Sequence, residues 1–131
     1  MLLNRVVNVV VRRLGLRRFR GADILMLTTT GRKSGVQRTT PLMYLDDGNR
    51  WVVVASNGGA DWEPGWWLNL RAGSPATVAV NGTTTRVTGT EVTGPERERL
   101  WQLLNDQVFD YNAYQQKVSR QIAVVALAPI A

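Results

Sequence analysis

Apolar and polar positions change their period several times along the chain, and each change predicts an element. Leu2, Leu3, Val6, Val7, Val9, Val10 and Leu14 oppose Asn4, Arg5, Asn8, Arg12 and Arg13, the spacing of an amphipathic helix that ends before Gly15. With Arg17, Arg18 and Arg20 it makes residues 1–20 a basic amphipathic segment. From Ile24 the period shortens to that of strands. Ile24 to Thr29 reads as a strand, Gly31 to Gly35 as a turn, Arg38 to Leu45 as the returning strand, and Asp46 to Asn49 as a hairpin turn. Trp51-Val52-Val53-Val54-Ala55 is continuously apolar, as in a strand buried on both faces.

Ser56 to Glu63 is a glycine-containing loop, and Pro64 stands where a short helix through Arg71 would begin. Ala76 to Val80 and Thr84 to Val92 form a hairpin through Asn81-Gly82, because a two-residue turn of this kind needs the positive φ those residues tolerate. Thr93 to Glu96 opens a helix running to Asn105 with Leu100, Leu103 and Leu104 on one face. Asp110 to Val118 is a second helical stretch, and Ile122 to Leu127 a closing strand. The expected class is therefore mainly β with helices (α+β). Antiparallel strands with few covering helices expose their edges unless the sheet closes, so a barrel is expected. One domain spanning residues 1–131 suits a chain of this length.

Composition narrows the chemistry. The chain has neither cysteine nor histidine, which removes disulfides, thiolate nucleophiles, His-based general bases and any metal site built on those ligands. An enzyme of this composition takes its chemistry from an organic cofactor, which needs positioning more than side-chain acid–base work. Sixteen Lys plus Arg against ten Asp plus Glu give a net charge of +6, favouring an anionic partner. No apolar run reaches the about 18 residues of a membrane span. The basic segment 1–20 either covers the barrel with a solvated face or touches an anionic membrane surface. Nucleic acid is not expected, because the aromatics are not interleaved with the basic cluster.

Three segments carry candidate chemistry. In Thr28 to Pro41, Gly31 and Gly35 permit a tight turn that presents peptide N–H groups. Arg32, Lys33 and Arg38 add cations there, and Ser34, Thr39 and Thr40 add hydroxyls. The spacing is not that of a Walker loop. In the second, Ala55-Ser56-Asn57-Gly58-Gly59 is followed by Gly65-Trp66-Trp67-Leu68-Asn69, whose adjacent indoles point about 100° apart on a helix, so one packs while the other is free to line a pocket. In the third, Tyr111 and Tyr114 stand three apart and share a helix face.

In order and spacing these residues resemble the deazaflavin-dependent nitroreductase family, the F420H2-dependent quinone and nitro-compound reductases of actinobacteria. The markers are Leu27 to Gly35, Arg38 with Pro41-Leu42, Ala55 to Gly59, Trp66 with Asn69-Leu70, and Tyr111, Tyr114, Arg120 and Ile122. The resemblance implies a split β-barrel like that of FMN-binding proteins, with coenzyme F420 as cofactor and its reduced form F420H2 as hydride donor. It implies that Arg32, Lys33, Ser34, Arg38, Thr39, Thr40, Pro41, Leu42 and Met43 hold the phosphodiester and polyglutamate tail. Val54, Ala55, Ser56 and Asn57 would lie by the ring, and Gly65, Trp66, Trp67, Leu68 and Asn69 would close over the coenzyme. Ser56, Tyr111 and Tyr114 are the implied catalytic groups, Tyr111 beside the ring and Tyr114 beside a small-molecule acceptor: a quinone, nitroaromatic or enone.

Three departures from the family pattern stand out. Asn57 replaces a lysine, Val108 replaces a tyrosine, and Gly65-Trp66-Trp67 alters the residues around the first tryptophan. Alternatives from the residues are an FMN-loaded reductase on the same barrel and a non-enzymatic F420 carrier. A cytoplasmic protein, peripheral at the inner membrane face through residues 1–20, and a homodimer complete the expectations.

Overall fold

The computed structural model describes residues 18–19 and 22–130. In chain order the strands are β1 (Arg18–Phe19), β2 (Ala22–Thr30), β3 (Gln37–Met43), β4 (Leu45–Asp46), β5 (Trp51–Val54), β6 (Ala76–Val80), β7 (Thr83–Val92) and β8 (Val124–Pro129). The helices are α1 (Gly65–Arg71) between β5 and β6, then α2 (Gly94–Gln107) and α3 (Tyr111–Gln115) between β7 and β8. Every strand pair is antiparallel.

Strand order decides the shape. β2 pairs with β3 on one side and β6 on the other, and from β6 the sheet runs through β7, β8 and β5 to β4. Only Tyr44 separates β3 from β4, and its N–H donates to the Asp23 carbonyl at 3.2 Å. The chain therefore leaves β2 at Tyr44 and joins β5, drawing the two ends of the sheet together in a split barrel. The sequence pattern, uniform from Arg38 to Leu45, carries no sign of this change of partner.

Alternation along β5 and β8 separates two cores. Val53, Ala55, Val125 and Leu127 face the barrel interior with Leu25, Leu27, Val78 and Val87. Val52, Val54, Val124 and Ala126 face outward and are covered by Leu100 and Leu104 of α2 and Tyr111 of α3. This accounts for the unbroken apolar run from Trp51 to Ala55, since both faces lose water.

α1 seats on the interior through Trp66, Trp67 and Leu70. It comes so close to β7 that a Cβ at Gly89 would lie 2.8 Å from Leu70 Cδ1, so a side chain there would push the helix away.

Several boundaries move. α1 begins at Gly65, with extended Pro64 as its cap, whose carbonyl accepts from Trp67 N and Leu68 N. β8 lies two residues further on than expected, because β7 outruns β5 and pairs as far as Pro129, while Ile122 N donates to Gln115 Oε1. α3 is one short turn, capped by the Asp110 carboxylate accepting from Ala113 N at 3.3 Å. Of the expected basic helix in residues 1–20, Arg18–Phe19 is instead a strand paired with β2, and the remainder lies outside the described residues.

Candidate functional site

The turn between β2 and β3 is built by its glycines. Gly31 N donates to Val36 O and Gly35 N to Gly31 O, both at 2.9 Å, with Gly35 at φ +71°. A Cβ on Gly31 would lie 2.5 Å from Ser34 Oγ, and that hydroxyl accepts from Val36 N at 3.1 Å. Ser34 is thus committed to shaping the turn. Asn69 of α1 anchors it from the other side, its Oδ1 accepting from Arg32 N at 3.1 Å and Arg32 Nη1 at 3.0 Å. Asn69 Nδ2 donates in turn to Thr29 Oγ1 at 3.1 Å, so one buried amide ties strand, turn and helix together. Arg32, Lys33 and Arg38 are exposed. Among the described residues none of the three makes an ion pair, which leaves an unneutralised positive field at this end of the barrel.

Opposite the turn, the chain leaving β5 passes through three left-handed residues, Asn57, Gly58 and Gly59, at φ +50°, +63° and +84°. Arg120 fixes this loop. Its Nη1 donates to Ala55 O at 3.1 Å, and its Nη2 to Ser56 O at 3.1 Å and Ala60 O at 3.0 Å. Tyr114 lies beneath, since a Cβ on Gly59 would be 3.1 Å from its Cδ1. Gly59 is required twice over, by its φ and by that contact.

Turn, loop and α1 enclose a cavity of about 700 Å³. Of the residues expected from the sequence it brings together Arg32, Lys33, Ser34, Arg38, Thr39, Thr40, Pro41, Asn57, Gly65, Trp66 and Asn69. Thr29, Gln37, Trp62, Glu63 and Pro64 also line it, and sequence reasoning missed them. Cations crowd the turn and β3, while Trp66, Pro41 and Pro64 provide flat apolar wall. Such a volume suits a small molecule or cofactor, and this one suits a molecule with an anionic end and a planar end.

A family model described as F420H(2)-dependent quinone reductase matches residues 3–129. The chain belongs to the F420H(2)-dependent quinone reductase family. It is similar to an F420H(2)-dependent quinone reductase of Mycobacterium tuberculosis, strain H37Rv, with 41% identity over 79% of this chain and 71% of that protein. Among solved structures it is similar to an F420-H2 dependent reductase, FDR-A, at 35% identity and TM-score 0.72 over 82% of this chain and 94% of that one. A structure described as a domain-swapped dimer matches at 31% identity and TM-score 0.73, covering 97% and 99% of the two chains. An FAD-binding protein of Mesorhizobium loti shares 11% identity at TM-score 0.55 over 96% and 88%, a likeness of fold alone. Membership makes the chain an oxidoreductase of a family whose hydride donor is reduced F420.

Within this member of the family the other expected residues lie off the cavity wall. Leu42 packs on the interior core and Met43 pairs with Ile24. Val54 is turned under the helices, Ala55 faces the interior, and Ser56 is buried with its carbonyl held by Arg120. Trp67 is 2% exposed in the interior, and its Nε1 has no partner among the described residues; Leu68 is half-buried. The indoles divide as expected, Trp67 packing in the interior and Trp66 lining the cavity, although both are buried.

The tyrosine pair shares a face, as the spacing required, but that face turns inward. Tyr111 is 3% exposed among the residues of the outer core, 5.5 Å from the Phe109 ring centroid and 6.4 Å from that of Trp101. Burial first, then the neighbouring Tyr114, pushes its phenol pKa well above the ordinary value, so it stays protonated. Tyr114 stacks on Phe109 at 5.4 Å, with its ring supporting the Gly59 loop. Arg120, singled out in the sequence as a family marker only, holds the loop by contacts 60 to 65 residues away in sequence.

Proposed function

We propose that this chain is an F420H2-dependent reductase that passes hydride to a planar acceptor, quinones foremost, and that the 700 Å³ cavity holds the coenzyme. The observation that carries this reading is the meeting, in one cavity, of three cations that make no ion pair among the described residues with a flat indole wall, in a chain of this family. Arg32, Lys33 and Arg38 neutralise the phosphodiester and tail carboxylates, with the hydroxyls of Thr39 and Thr40 as further donors. Asn69 is a positioning residue that holds Arg32 toward the cavity. Pro41, Gly65 and Trp66 flank the planar part, and Asn57, in the loop after β5, adds a polar side chain to the lining.

Reduced F420 supplies a hydride when bound. The chain contributes orientation, exclusion of water and hydrogen-bond donors for the charge that develops on the acceptor. Ser56, buried two residues beyond β5 with its carbonyl held by Arg120, is assigned to support of the cavity loop. Tyr114 is assigned to support of the loop and Tyr111 to the core beneath it, in place of the direct catalytic roles the resemblance implied. No side chain acts as a nucleophile. A homodimer is the proposed assembly, supported by the related domain-swapped dimer, and peripheral membrane contact of residues 1–20 is supported by their basic amphipathic pattern. No helix among the described residues is long and apolar enough to cross a membrane.

Titrating the purified protein with F420, F420H2 and FMN, followed by fluorescence, tests the proposal. Saturable binding of the deazaflavins, weakened by salt, and oxidation of F420H2 on adding a quinone are expected. Saturation by FMN with indifference to F420 would replace this reading with a flavin reductase on the same barrel.

A further inference from the structure

The loop between β5 and α1 combines a backbone held at several points with a side chain left bare. Ala60 O accepts from Arg120 Nη2 at 3.0 Å, and Trp62 O from Asn57 Nδ2 at 3.1 Å. The Glu63 carboxylate takes two hydrogen bonds from Arg71, at 3.1 and 3.3 Å, after which Pro64 leads into α1. Between these anchors the Trp62 residue is 66% exposed, and its indole makes no hydrogen bond or ring contact with a described residue. It nevertheless lines the same cavity as Trp66 and the cationic turn.

An isolated exposed apolar residue is ordinary on a protein surface. This one differs in position and support. It is the largest side-chain type, placed at the edge of this cavity by a loop pinned through Ala60 O, Trp62 O and the Glu63 carboxylate. Indole has only two side-chain torsions, so ordering it on a ligand costs little entropy for the area it buries. The same cavity already contains one fixed indole, Trp66, so a flat molecule entering it meets two aromatic surfaces, one exposed and one buried.

We infer that Trp62 is a binding residue that closes on the planar ring of the coenzyme, an inference that rests on the reading of the cavity as the F420 site. The cationic turn then selects the anionic end of the molecule and Trp62 the flat end. Trp62 enters neither core and is largely exposed, so removing the indole leaves the fold intact.

The test compares wild type with Trp62→Ala and Trp62→Phe. Trp62→Ala is expected to weaken F420 binding about tenfold and Trp62→Phe by no more than about threefold, the scale of one aromatic contact. Thermal midpoints of the three proteins should agree. Bound F420 should shield part of the indole emission of wild type from acrylamide, and that part should be missing in Trp62→Phe. Unchanged F420 affinity in Trp62→Ala overturns the inference, and so does equal shielding in wild type and Trp62→Phe. A rise in acceptor KM with intact cofactor affinity also overturns it, since Trp62 would then serve the acceptor. Failure of wild type to bind F420 at all defeats the reading of the cavity itself, a separate result from the loss in one variant.

Discussion

The end of the barrel at the β2–β3 turn and the outer face of β5 and β8 treat the same kinds of residue in opposite ways. At the turn, arginine and lysine are exposed and without ion pairs among the described residues, and Trp62 is bare. Under α2 and α3, Arg97 is buried, donates to Ile122 O at 2.7 Å and lies 4.9 Å over the Trp101 ring, while Tyr111 is sealed beside Phe109. Cations and aromatics are thus spent on packing in one region and kept available in the other. Residue type alone does not mark a binding site; what marks it is that cationic and aromatic surface remains exposed while the supporting backbone is pinned by hydrogen bonds.

The contrast can be broken most forcefully on the packed side. Tyr111→Ala should cost about 3–5 kcal/mol of stability through the cavity it leaves, seen as a lower denaturation midpoint. If instead this variant kept its stability and lost F420 affinity, Tyr111 would belong to the site. On the open side the expected pattern is reversed. The double change Arg32→Ala, Lys33→Ala should weaken F420 binding by about 2–4 kcal/mol, from two charge-assisted contacts at about 1–2 kcal/mol each, while moving the denaturation midpoint little. Calorimetric titration beside a melting curve separates the two effects, and undiminished affinity would remove the turn from the coenzyme site.

The smallest effect sharpens the comparison through pH. The folded phenol pKa of Tyr111 is raised, so the folded state favours the neutral form. Its contribution to stability is complete below the unfolded value of about 10 and is lost as pH rises beyond it. Stability of wild type should therefore decline above that pH more steeply than that of Tyr111→Phe, measured by denaturant unfolding. Equal slopes would show that Tyr111 reaches water.

Local chemistry was legible. The Gly31–Gly35 turn, the Asn81-Gly82 hairpin with φ of +51° and +80°, and the doubly buried β5 all follow from residues close in sequence. The Tyr111–Tyr114 spacing specified a shared face but not which way it turns, because helical periodicity is indifferent to whether a core or a ligand lies opposite. Trp62 gave no periodic signal, and its exposure depends on what neighbouring elements leave uncovered.

By itself the sequence ruled out thiolate and imidazole chemistry, since it lacks cysteine and histidine. It determined as well that a basic glycine turn follows the first long strand and that antiparallel strands dominate. Only the tertiary structure decided that the sheet closes at Tyr44, that Asn69 and Arg120 brace the cavity from distant positions, and that the tyrosines face inward. The reason is range: turns and strand alternation are fixed by neighbours within a few residues, whereas closure, bracing and burial depend on which surfaces meet once the chain has folded back on itself.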